Sequence, residues 1–131
     1  MTNVEVTKEF TFDAAHSLPG YRGDCGRLHG HTYKLEITVD GGVNQWTGMV
    51  CDFKDLKAMV QDCILRHLDH SHLNEIGLRG FPSMMPTAEK MVVWMAEVLH
   101  DNIFKSNLPF QLRRVRLWET PTSHATWSRV K

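Results

Sequence analysis

Residues 4–16 read VEVTKEFTFDAAH, and Val4, Val6, Phe10, Phe12, Ala14 and His16 occupy alternate positions of that stretch. A strand turns successive side chains to opposite faces, so this period of two predicts a half-buried β-strand that ends on an inward histidine. Lys8 alone interrupts the apolar face. A loop bearing glycine and proline follows (SLPGYRGDCGRLHG, residues 17–30), and HTYKLEITVD, residues 31–40, alternates again with Tyr33, Leu35, Ile37 and Val39 inward. The pair Gly41 and Gly42 closes this second strand.

Beyond these strands the period changes. From Phe53 to Leu68 the positions Phe53, Leu56, Met59, Val60, Cys63, Ile64 and His67 recur at threes and fours, which predicts an amphipathic helix with Asp52 as its N-cap. The segment from Asp69 to Pro86, with two glycines and two prolines, reads as a loop long enough to be functional. Thr87 is placed to cap a second helix over roughly 88–104, which buries Met91, Val92, Trp94, Met95, Val98, Leu99 and Ile103. Two strands finish the chain: QLRRVRLWET (111–120), with Val115, Leu117 and Glu119 on one parity, and a short one near ATWSRV (125–130). The order β-β-α-α-β-β lacks βαβ alternation and predicts an α+β domain, an antiparallel sheet with helices on one face.

The chain's 131 residues, 42% of them hydrophobic, have the size and apolar content of one domain spanning 1–131. No run approaches the ~18 apolar residues that span a membrane, and MTNVEVTKEF lacks the layout of a signal peptide, so a cytoplasmic protein with no membrane partner is expected. Fifteen basic residues balance fifteen acidic ones, which provides no field for nucleic acid and points to a small-molecule partner. Three cysteines, Cys25, Cys51 and Cys63, argue against a disulfide framework. Histidine is the unusual residue, with eight copies.

His29 and His31 are one residue apart in a strand and face the same way, with Tyr33 and Leu35. His16 lies on the apolar parity of the first strand. If the two strands pair antiparallel, three imidazoles gather at one end of the sheet as a ready Zn2+ site, with the fourth tetrahedral position open to water or substrate. Cys25, four residues before His29 in CGRLHGH, is either a fourth ligand closing a structural site or a thiolate base beside the metal. Cys51 and Cys63 read as buried filler. In LDHSHLN, Asp69 directly precedes His70, and a carboxylate bonded to an imidazole supports general acid–base work. His67, His72, His100 and His124 read as structural or solvated. Glu119 faces inward at a strand end and needs a partner, either the two parallel N–H groups of an amino-pyrimidinone or one of Arg113, Arg114 and Arg116.

Taken in order, FDAAH, CGRLHGH, DFKDLK, LDHSHLN, PTAEK and LWET resemble the 6-pyruvoyl-tetrahydropterin synthase family along nearly the whole chain. The resemblance implies a tunnelling fold with a four-stranded antiparallel sheet and two helices, in homo-oligomers, typically hexamers, with active sites between subunits. It implies a Zn2+ cofactor held by His16, His29 and His31, Cys25 as catalytic base rather than ligand, Asp69 and His70 as a proton relay, and Glu119 as the pterin anchor. The short spacing from Cys25 to His29 is similar to the 6-carboxy-5,6,7,8-tetrahydropterin synthase branch of queuosine biosynthesis. That branch is a lyase turning 7,8-dihydroneopterin triphosphate into 6-carboxytetrahydropterin, acetaldehyde and triphosphate. The alternatives are the 6-pyruvoyl branch, which keeps the side-chain carbons, and a non-catalytic zinc-stabilised pterin- or purine-binding module. Arg27 is a candidate for the triphosphate by its nearness to the metal loop. Lys90, where the family usually has asparagine, and the longer segment GLRGFPSMM depart from the pattern.

Overall fold

The computed structural model describes residues 2–130. Strands β1 (Asn3–His16) and β2 (His29–Gly42) pair antiparallel over their full length, from Asn3 opposite Gly42 to His16 opposite His29. β4 (Gln111–Thr120) pairs antiparallel with β2, and β5 (Ser123–Ser128) with β4. The two-residue β3 (Ser71–His72) runs parallel to β1 at Ala14 and Ala15, giving the order β3-β1-β2-β4-β5. The sheet therefore has five strands of mixed direction rather than four antiparallel ones, in chain order β-β-α-β-α-β-β. Two residues are too few to show a period. β3 forms because Asp13 has a free backbone edge: its N–H donates to Asp69 Oδ1 (2.9 Å) and its carbonyl accepts from His70 N–H (2.6 Å).

The first helical run starts as α1 (Phe53–Val60), with the Asp52 carboxylate accepting from Lys54 N–H at 2.8 Å. It passes through a π-helical turn (Gln61–Leu65) and ends as α2 (Arg66–Leu68). Before the turn Leu56 and Val60 are buried and Phe53, at the first helical position, is exposed; the wider turn rotates the inward face beyond it, so Ile64, Leu65 and Leu68 are buried and His67 is only half-buried. α3 (Ala88–Lys105) opens on Thr87, whose hydroxyl accepts from Lys90 N–H at 3.2 Å. Lys90 thus contributes its backbone to the cap, which its side chain leaves untouched.

Both helical runs pack on one face of the sheet. Phe12, Tyr33, Leu35, Ile37, Val115 and Leu117 join Leu56, Ile64, Met95 and Leu99 in one buried cluster. Val4 is 36% exposed, so the first strand enters the core only toward its C-terminal end, where Phe12, Ala14 and His16 are buried. No helix among the described residues is long and apolar enough to cross a membrane.

The opposite face is polar. There Arg129 forks onto buried Asp40, donating from Nη1 to Oδ1 (2.9 Å) and from Nη2 to Oδ2 (2.8 Å). The Arg129 hydrogen bond holds the Asp40 carboxyl below the usual range, against the upward push of burial. A depressed folded value stabilises the fold above the ordinary carboxylate value of about 3.9 and loses that contribution as pH falls through the folded value. Arg129→Ala is expected to cost about 2 kcal/mol at neutral pH, mainly by leaving a buried carboxylate unpaired. Urea denaturation of both proteins should show this gap at pH 7 and a smaller one near pH 3.

Candidate metal centre and active site

The β1/β2 register places His16 opposite His29, with His31 two residues along on the same face. Their ligand nitrogens lie within 4.8 Å of one another. The Nδ1 of His16 lies 2.9 Å from the Pro86 carbonyl oxygen, and that of His29 lies 2.7 Å from the Arg27 carbonyl oxygen. A carbonyl oxygen only accepts, so each Nδ1 carries the proton and each Nε2 presents a lone pair. These two Nε2 atoms are 3.1 Å apart. The Nε2 of His31 is buried without a hydrogen-bond partner. Nε2 lone pairs converging in the neutral tautomer repel unless a cation lies among them. Nitrogens about 2.05 Å from a tetrahedral metal stand roughly 3.3 Å apart, close to the 3.1 Å between the His16 and His29 Nε2 atoms.

The neutral imidazole is the ligand form, and the surroundings of His31 favour it. Burial pushes His31 down, the Glu119 charge opposes this, and His16 and His29 push it further down. Tyr33 packs beneath, its ring centroid 5.4 Å from that of His31, and its other face stacks on Phe12 at 4.8 Å. Burial and the Glu119 charge push the Tyr33 hydroxyl well above its ordinary range, so it remains an O–H group.

Glu119 shares the inward face of β4, where a register shift between Trp118 and Thr120 breaks the pairing with β5. Bulges of this kind re-aim side chains. Its Oε2 is 3.9 Å from His16 Nε2 and its Oε1 is 3.9 Å from His31 Nε2. None of the three neighbouring arginines serves it: Arg113 and Arg114 reach Glu5 at 3.5 Å, and Arg116 reaches Glu36 at 4.0 Å, across the polar face.

Asp69 Oδ1 and His70 Nδ1 are 3.0 Å apart, both residues are exposed, and His70 has a left-handed φ of 59°. The Asp13 N–H, ahead of the His70 contacts, holds the Asp69 carboxyl below its usual range. The pair clusters with the Asp13 carboxylate, and Asp13 lies on the parity opposite to His16. Within one chain the pair therefore stands on the side of the sheet away from the three histidines. Cys25 is exposed in a one-turn 3-10 helix (Asp24–Gly26) and is outside the histidine group. The Leu18 N–H donates to its carbonyl at 3.0 Å. A Cβ at Gly26 would collide with the Tyr21 carbonyl oxygen, so only glycine lets this loop close as tightly beside Cys25.

The sequence model of 6-pyruvoyl tetrahydropterin synthase matches residues 5–129. The chain belongs to this family. It is 34% identical over 138 residues to a 6-carboxy-5,6,7,8-tetrahydropterin synthase of Haemophilus influenzae, covering 91% of this chain and 94% of the relative. It is 37% identical over 127 residues to the protein of that name from Synechocystis sp., covering 93% and 91%. The fold matches the structure of Caenorhabditis elegans 6-pyruvoyl tetrahydropterin synthase with a TM-score of 0.83, at 26% identity and covering 98% and 97% of the two chains.

Beside the histidines, this family member has a cleft of about 520 Å³ lined by Glu119, Ala88, Glu89, Val92, Val93 and Trp127, among others. Glu89 and Trp127 were not legible as site residues, because the helix start and the last strand meet only in the fold. The Pro86 and Arg27 carbonyls escape sequence reading for a different reason: every residue carries a carbonyl. Arg27, a triphosphate candidate by its position, contributes that backbone oxygen to His29.

Proposed function

We propose that the protein is a zinc-dependent 6-carboxy-5,6,7,8-tetrahydropterin synthase acting on 7,8-dihydroneopterin triphosphate. The observation that carries this reading is the convergence of three imidazole side chains, their ligand atoms within 4.8 Å of one another, beside a carboxylate-lined cleft in a member of this family. The 6-carboxy branch is favoured by the short Cys25 to His29 spacing and by relatives of that name at 34% and 37% identity.

His16, His29 and His31 hold the metal, and zinc supplies Lewis-acid polarisation of the substrate's side-chain hydroxyls when bound. Cys25, outside the ligand group, removes the adjacent carbon-bound proton. Asp69 fixes the His70 imidazole, which relays protons. Glu119 accepts from the two parallel N–H groups of the pterin's amino-pyrimidinone edge, and the cleft beside it takes the ring. The opposite placement of the Asp69–His70 pair supports active sites built between subunits of a homo-oligomer, with a hexamer favoured by the family resemblance. In that assembly one subunit's pair serves another's metal.

Incubation with 7,8-dihydroneopterin triphosphate tests the reaction. Acetaldehyde should appear in a coupled alcohol dehydrogenase assay, with 6-carboxytetrahydropterin left behind. Formation of 6-pyruvoyltetrahydropterin without acetaldehyde would move the protein to the other branch, and binding without any turnover would favour the non-catalytic module.

A further inference from the structure

Glu119 is the residue that borders both the histidine cluster and the cleft. We propose that its carboxylate has two positions: it closes the open side of the metal position while no pterin is bound, and it turns to the ring when pterin enters. The ring-facing half rests on the pterin reading above; the metal-facing half does not.

Three observations carry the metal-facing position. The register shift between Trp118 and Thr120 frees Glu119 from the β4/β5 ladder and lets its side chain leave the strand direction. Its two oxygens then stand 3.9 Å from the Nε2 atoms of His16 and His31. Those distances are within about 0.6 Å of the ligand spacing around tetrahedral zinc, where carboxylate oxygens bind at roughly 2.0–2.2 Å. The charge pattern is the third. A carboxylate and three imidazole nitrogens converge, and the His16 and His29 protons are committed to carbonyls on the far side of each ring. With His31 in the matching tautomer, these groups form a three-nitrogen, one-oxygen donor set for a cation.

One carboxylate cannot face the metal and the ring together. Pterin that draws Glu119 away therefore opens the metal's fourth position at the moment its own side chain arrives. Until then the carboxylate keeps stray ligands off the metal.

Metal-loaded protein tests this without turnover. Glu119→Gln keeps the shape but removes the charge, and its zinc affinity in chelator competition should fall about 10-fold or more. Glu119→Asp, one methylene shorter, should show an intermediate loss and serves if the glutamine variant folds poorly. In cobalt-substituted protein the visible bands of wild type and Glu119→Gln should differ. Added 7,8-dihydroneopterin should move the wild-type bands. Equal zinc affinity and equal cobalt spectra in folded wild type and Glu119→Gln would overturn the proposal, as would a cobalt protein that binds dihydroneopterin by calorimetry with unchanged bands. Absence of any pterin binding would strike the pterin reading instead, and the zinc affinity of Glu119→Gln would still decide the metal-facing position.

Discussion

Cys25→Ala is expected to keep about one zinc per chain, to bind pterin as the wild type does, and to lose at least ~100-fold in turnover, the lower end of general-base contributions. That loss corresponds to about 2.7 kcal/mol of barrier. The expectation follows from where the thiol stands: exposed, in a loop closed tightly at Gly26, and outside the group of nitrogens that would hold the metal. Neither of the other cysteines can replace it. Burial, helped by neighbouring aspartates, pushes the Cys51 and Cys63 thiols up, away from the thiolate form that a base requires. Steady-state rates of product release, measured beside metal content by atomic absorption, separate the two roles open to Cys25. If zinc is lost together with activity, Cys25 is a ligand and the site is structural.

His29→Ala should lose zinc and activity together. The expected drop in zinc affinity lies beyond the about 10–100-fold that removal of an outer-shell partner costs, because a direct donor is gone. His29 is the sharpest choice among the three. Its Nε2 is the one 3.1 Å from His16 Nε2, so its removal also takes away the closest nitrogen pair, which repels when both rings are neutral with Nδ1 bonded to its carbonyl. The metal-free variant should therefore be no less stable than metal-free wild type, while the zinc-loaded wild type melts higher than both. His124→Ala is the control. His124 packs on Trp118 with ring centroids 4.2 Å apart; it borders the cleft but lies outside the histidine group, so its loss should leave zinc content unchanged. Full zinc occupancy in His29→Ala after dialysis would sink the three-histidine site.

The parts of the fold that were legible in the sequence share one property: each rests on a period or a cap that a few neighbouring residues define. Alternation in 4–16 and 31–40 assigned the inward faces, and a full-length antiparallel pairing then brought His16 to His29 as that parity requires. The helix starts at Asp52 and Thr87 were read from single side chains, and both accept the expected backbone N–H. Where a local rule was bent, the reading slipped. The π-helical turn at Gln61–Leu65 inserts an extra residue into the helical phase, which is why His67, beyond it, lies off the face that a uniform 3.6-residue period assigns it, while Phe53 is exposed at the first position of the helix.

Residue chemistry and parity in the sequence alone therefore determined that three imidazoles share an end of the sheet, that Glu119 points inward, and that Cys25 and the Asp69–His70 pair belong to nearby loops. Only the tertiary structure decided how those groups face one another. The Pro86 and Arg27 carbonyls set which nitrogen of His16 and His29 is free, the Asp13 backbone draws Asp69 and His70 to the far side of the sheet, and a shift in the β4/β5 register accompanies Glu119 at the histidine cluster. The physical reason is that periodicity is a property of neighbours along the chain. A carbonyl that fixes a tautomer, by contrast, is identical in every residue and is selected only by the path the chain takes through space.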